Sequence, residues 1–272
     1  MSDDSLPEGA PPLGFDRSGS GEPLLLLHPL GTDRGVWEPV IDLLTPVHDV
    51  IAVDMPGFGD SAELAPEIPA TAEAIAATAA ATLDSLGLGR AHVAGISLGG
   101  WVALELGKTG RSSSVTAINP AGFWARPLGP RPEIARRTGT RLLPLARPLL
   151  ATASGRRLAL AGAMAHPERV PPGAAYRLVK VYALSPGFAR ANAEMRRTVF
   201  SGIERIDAPV TLAWADRDRL VRRPRYDLPG ARIVVLTDCG HLPTWDSPPQ
   251  VAEAILSTTR PTGGGRRERL SA

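Results

Sequence analysis

The sequence predicts an α/β fold, a mostly parallel central sheet with helices on both faces, carrying one helical insertion. Three observations point there. Short apolar runs ended by Gly or Pro alternate with stretches of helical spacing. The apolar runs are continuous rather than alternating, as strands covered on both faces require. From about residue 123 to 205 the alternation stops, and helical pattern alone continues.

The elements follow in order. The run PLLLLHP (23–29) is a buried strand ended by proline, and HDVIAVDMPG (48–57) is a second with a Pro-Gly stop. TAEAIAATAAATLDSLGLG (71–89) is alanine-rich, begins at Thr71 with Glu73 close behind, and ends on glycine, so it is a helix. AHVAGI (91–96) is the third strand, and Leu98 to Lys108 is a helix. SSVTAINPAG (113–122), APVTLAWADRD (208–218) and ARIVVLTDCGH (231–241) supply three more strands. SPPQVAEAILSTT (247–259) closes the chain as a helix, with Ser247 as N-cap and prolines in the first turn. The insertion is Arg-rich, free of aspartate, and helical with proline breaks.

The domain reading is a flexible segment 1–20, a core of 21–122 and 206–260, a helical cap at 123–205, and a flexible tail 261–272. Length, 43 % hydrophobic and 21 % charged residues suit one globular domain. A net charge of +2 gives no overall field toward nucleic acid or an anionic membrane. The single cysteine, Cys239, excludes an internal disulfide and a Cys-clustered metal site. With no signal-peptide pattern and no apolar stretch of membrane-spanning length, the expected location is cytoplasmic.

Chemistry concentrates at VAGISLGG (93–100), where Gly95 and Gly99 flank Ser97 in a G-x-S-x-G pattern between a strand and a helix. A sharp turn there strains the serine backbone, so residues two away must be small, and Gly100 lets the helix approach the sheet. A serine needs a base, and the base needs an orienting acid. His48 and His92 stand at strand entrances, the wrong end, and His166 lies in the insertion. His241 follows the final strand and can reach Ser97. Asp216 and Asp218 both follow the strand before it, and either can orient the histidine. The Leu98 N–H, at a helix N-terminus, suits an oxyanion. The loop HPLGTDRGVW offers a second donor at Leu30, since Pro29 has no N–H.

Together, LLLLHPLGTDRGVW, VIAVDMPGFGDS, GISLGGWVALELG, VTLAWADRDRLV and DCGHLPTWDSPPQVAEAI resemble the α/β-hydrolase superfamily over roughly Gly21 to Thr259. The resemblance implies Ser97 as nucleophile, His241 as general base and acid, and Asp218 as its partner, with Asp216 in reserve. Pro29 departs from the family's usual His-Gly, and Ala215 from a glycine often found before the acid. PLGTD is similar to the corresponding loop of 3-oxoadipate enol-lactonases. The expected activity is hydrolysis of a small ester, lactone or thioester. The alternatives are C–C bond hydrolysis or acyl or peroxyacid transfer on the same residues, and non-catalytic binding of a small molecule. Phe123, Trp124 and Leu242 are candidate pocket walls. No metal or organic cofactor is implied. The expected partner is a small-molecule substrate, with neither nucleic acid nor membrane, and the chain a monomer or homodimer.

Overall fold

A computed structural model describes residues 13–130, 134–224, 228 and 230–260. Among them seven strands form one sheet: β1 (Phe15–Gly19), β2 (Glu22–Leu27), β3 (His48–Val53), β4 (Ala91–Ile96), β5 (Ser112–Ile118), β6 (Val210–Ala215) and β7 (Ala231–Leu236). The spatial order is β1-β3-β2-β4-β5-β6-β7. β1 runs antiparallel to β3, and every other pairing is parallel.

Period-two alternation sorts the strand side chains onto two cores. Leu25, Leu27, Ile51, Val53 and Val93 enter one, beneath α2 (Ala72–Ser85) and α3 (Leu98–Lys108). Leu24, Leu26, Val50, Ala52 and Ala94 enter the other, beneath α1 (Glu38–Leu44) and the closing helix. Each fully buried leucine of β2 contributes about 2 kcal/mol of transfer free energy.

The 123–205 segment contains no strand among its described residues. It forms α4 (Ile134–Ala151), α5 (Ala153–Leu160), α6 (Pro172–Leu184) and α7 (Phe188–Arg197). Two short helices, α8 (Pro243–Asp246) and α9 (Pro248–Thr259), end the fold.

Three expectations need correction. The first 20 residues are not all loose: residues 15–19 are β1, an edge strand whose five side chains are all exposed. Backbone pairing makes this strand, so it leaves no apolar pattern. The short helices α1 and α8 also lacked a clear sequence signal. Proline does not break α4, which runs through Pro144 and Pro148 on its exposed side, where water can take the carbonyls they release. Ser247 does occupy the N-cap position of α9, yet its hydroxyl makes no cap bond and instead accepts from Gln250 Nε2 at 3.0 Å. Thr71, by contrast, caps α2 through Ala74 N–H. The segments 1–12 and 261–272 lie outside the described residues.

The strand order reverses between β2 and β4. Chain direction leaves β2 for β3 on one side and returns to β4 on the other, which opens a crevice at their carboxyl ends. Ser97 and the 28–31 loop stand there.

Candidate active site

Ser97 is the link between β4 and α3, with φ 56° and ψ −116°. An L-residue reaches that region only when its surroundings compel it. The compulsion is visible in its backbone. Ser97 N–H donates to the Ile118 carbonyl at 2.9 Å, and its own carbonyl accepts from Trp101 and Ala121 N–H, both at 3.0 Å. The flanking glycines are needed for space: a Cβ on Gly95 would collide with the Gly99 carbonyl, and one on Gly99 with the Leu27 and His28 carbonyls. The Ser97 hydroxyl makes no hydrogen bond among the described residues, so it is not tied into the scaffold.

His241 lies beyond β7, and its Nδ1–H donates to Asp218 Oδ2 at 2.7 Å. Both side chains are nearly buried. Asp218 is held by its second oxygen, which accepts from Leu220 and Val221 N–H at 2.7 and 3.0 Å. Asp216 does something else: its Oδ1 accepts from Cys239 N–H at 3.3 Å, tying the β6 and β7 ends together. With Nδ1 engaged, His241 has Nε2 left for a substrate-side proton. A direct Ser97–His241 hydrogen bond is not formed among the described residues.

Asn119 escaped the sequence reading. It follows β5, is fully buried, and has φ 43°. Its Nδ2 donates to the carbonyls of Gly240 and His241, both at 3.3 Å, while its Oδ1 accepts from Ala215 N–H at 2.7 Å. Its backbone N–H reaches the Ala213 carbonyl, and Ile118 beside it receives the Ser97 N–H. One side chain therefore links the ends of the strands that carry Asp218 and His241, next to the Ile118 carbonyl that receives the Ser97 N–H. The only hint in the sequence was a buried-type strand ending on Asn-Pro. Among the described residues the non-glycine positive φ values belong to Ser97, Asn119 and Asp238, all at or near this cluster.

Asp246 was likewise missed. Its buried carboxylate accepts from Gly240 N–H at 2.7 Å, from His166 N–H at 2.7 Å and from Ala165 N–H at 3.0 Å. It thus joins the loop before His241 to the 123–205 segment. His166 also lies 2.8 Å from Asp238, and together with Arg217 it holds that carboxyl below the usual carboxylate range. His48 bonds Thr259, and His92 bonds Ser114 and Glu22, at the opposite end of the sheet.

The 28–31 loop shows how the chain accommodates Pro29. Buried His28 accepts Met55 N–H at Nε2 and donates from Nδ1 to the Pro29 carbonyl, both at 2.8 Å. Burial pushes its pKa down, which keeps this neutral form. The Pro29 carbonyl also accepts the Thr32 hydroxyl at 3.0 Å. In a planar trans peptide the next N–H points the opposite way, so Leu30 N–H is aimed away from this cluster. Leu30 N–H and Leu98 N–H have no acceptor among the described residues.

Phe123 is buried between Phe200 and Trp214, and Trp124 donates to the Thr198 carbonyl while meeting Trp101 edge-on. Leu242 is buried, and its N–H donates to the Ala163 carbonyl. Packing accounts for all three. The Cys239 thiol is pushed up to about 12 by burial and by the nearby carboxylates Asp246, Asp216 and Asp238, so it stays protonated and does not compete as a nucleophile.

A sequence profile of the Alpha/beta hydrolase family matches residues 24–254. The chain is 31 % identical over 191 residues to an epoxide hydrolase, EphH, of Mycobacterium tuberculosis, across 64 % of this chain and 88 % of that protein. It is 33 % identical over 117 residues to 3-oxoadipate enol-lactonase 1 of Acinetobacter baylyi, across 42 % of this chain and 39 % of the relative. Among solved structures, an esterase from Thermogutta terrifontis superposes with a TM-score of 0.67 at 24 % identity, covering 90 % of this chain and 92 % of its own.

Proposed function

Because the chain belongs to the alpha/beta hydrolase family, we propose that it is a serine hydrolase cleaving a small ester, lactone or thioester through an acyl-enzyme on Ser97. The observation that carries this reading is the His241–Asp218 pair at 2.7 Å, at the same carboxyl end of the sheet as a strained serine whose hydroxyl makes no hydrogen bond among the described residues. Ser97 Oγ attacks the carbonyl carbon while His241 Nε2 takes its proton. Asp218 fixes the ring tautomer and stabilises the imidazolium. Leu30 and Leu98 N–H groups receive the oxyanion, and the low dielectric of a buried site strengthens both bonds. Collapse expels the leaving group, which His241 protonates. Water, deprotonated by His241, then attacks the acyl carbon and frees Ser97. The helices of 123–205 act as the cap over the site.

A similarity to an epoxide hydrolase does not carry that activity across. Serine opening an epoxide would leave a stable ether, which water does not release, whereas an acyl-serine ester is hydrolysable. The residue at 97 therefore favours acyl substrates.

Turnover of p-nitrophenyl esters from acetate to decanoate, run beside Ser97→Ala, tests the reading. The expected loss in the variant is on the order of 10³-fold or more in kcat, and the chain-length optimum sizes the acyl pocket. Equal rates in both proteins contradict a serine mechanism. Product analysis with added alcohol or peroxide separates hydrolysis from acyl or peroxyacid transfer.

A further inference from the structure

The net charge of +2 conceals a strong segregation. Residues 123–205 hold fourteen arginines and one lysine against four glutamates, so the remainder of the chain is net negative. Within that segment residues 134–160, which form α4 and α5, carry six arginines and no aspartate or glutamate.

The α4 helix is amphipathic twice over. One side is satisfied by the protein. Ala146 and Leu150 are buried in the core. On the adjoining arc Arg136 donates to the Ser185 carbonyl, Thr140 to the Ala183 carbonyl, and Arg147 stacks on Tyr176, all facing α6. The opposite side is apolar and uncovered. Ile134, Leu142, Leu145 and Leu149 recur at helical spacing within an arc of about 80°, and they are between 44 and 69 % exposed. Leu158 on α5 is 78 % exposed. Arg137 and Arg141 border the stripe, exposed, with no ion pair among the described residues.

Water should find polar side chains on such a face, and it finds four large aliphatic ones beside guanidinium groups with no ion pair among the described residues. A second copy of the chain is a poor cover. A two-fold contact would set these two helices, which carry arginines and no acid of their own, against themselves, although Glu168 pairs with Arg157 at 3.2 Å. An anionic headgroup layer satisfies both components together: the leucines enter the acyl boundary and the arginines pair with phosphates. We propose that the α4–α5 face docks on the surface of an anionic phospholipid bilayer, α4 lying in the headgroup plane. No helix among the described residues is long and apolar enough to cross a membrane, so the attachment is to one leaflet. The inference is independent of the hydrolase reading.

Flotation of the full-length protein with phosphatidylcholine vesicles, with and without 30 % phosphatidylglycerol, tests it. Binding should require the anionic lipid and fall steeply in high salt. Leu142→Ser/Leu145→Ser and Arg137→Glu/Arg141→Glu should each lower the partition coefficient by about tenfold or more. Both pairs are solvent-facing, so thermal unfolding should be unchanged and ester turnover retained. Three outcomes overturn the proposal: no binding to the anionic vesicles, binding that both variants retain, or binding lost only in the arginine variant. Light scattering that shows a dimer broken by Leu142→Ser/Leu145→Ser, without vesicle binding, assigns the face to a second copy instead and also overturns it.

Discussion

At the scale of single residues the site depends on groups that do not react. Ser97 takes its φ of 56° because three backbone hydrogen bonds hold the peptide on either side of it. Asn119 then sets where the histidine loop stands relative to it. Asn119→Ala removes donors from the Gly240 and His241 carbonyls and an acceptor from Ala215 N–H, inside a fully buried setting. Orphaned groups of this kind cost about 1–3 kcal/mol each. The expected result is a folded, less stable enzyme with kcat lowered by about tenfold to a hundredfold and KM nearly unchanged. A KM effect alone would mean that Asn119 shapes substrate binding rather than the placement of His241 relative to Ser97. Ser97, His241 and both candidate aspartates were visible in the sequence because each follows a strand, in the order serine, aspartate, histidine. Asn119 and Asp246 were not, because an asparagine or aspartate at a strand or helix end usually meets water. Only three-dimensional closure shows that these two are buried and multiply bonded.

At the scale of elements α3 carries an unusual charge. Glu105 is buried, accepts from Trp101 Nε1 at 3.0 Å and pairs with Lys108. Burial pushes its carboxyl above the usual range, against the pull of Lys108 and of the Trp101 hydrogen bond. The folded protein therefore binds this proton more readily than the unfolded chain does. The stability contributed by that proton is complete below the ordinary carboxylate pKa and is lost as pH rises through the raised value. Wild type should thus lose stability relative to Glu105→Gln as pH climbs from about 4 to 7. Urea unfolding of both proteins across that range checks the sign, and parallel curves would refute it. The elements themselves were legible in proportion to their burial. β2, β4 and α3 followed the pattern closely because continuous apolar runs and glycine spacing report packing directly. β1 was lost because an exposed edge strand has no side chain committed to the core.

At the scale of the whole molecule the 123–205 helices are fastened to the sheet by specific polar clamps. Arg190 donates to the carbonyls of Leu64, Ala65 and Ile68, and Arg177 pairs with Asp33 next to the 28–31 loop. Gly187 N–H reaches the Gly57 carbonyl at 3.0 Å across a glycine–glycine approach. Asp246 is the clamp nearest the histidine. Asp246→Ala strands three N–H groups, at Gly240, Ala165 and His166. It should destabilise by about 3 kcal/mol, lowering Tm by roughly 6–12 °C, and it should reduce kcat because the His241 loop loses its anchor. Unchanged kcat with a lowered Tm would separate the attachment of the 123–205 helices from catalysis. The helical character of this segment was readable from its spacing, but its clamps were not, since arginine-to-carbonyl contacts leave no periodic trace.

The proposed mechanism requires Ser97 to be an activated nucleophile. The most direct measurement is covalent labelling by a fluorophosphonate, read as intact mass. One adduct per chain, located on Ser97, is expected for wild type, with none in Ser97→Ala and far slower labelling in His241→Ala. Labelling that persists in Ser97→Ala, or wild type that remains unlabelled while correctly folded, would contradict the account.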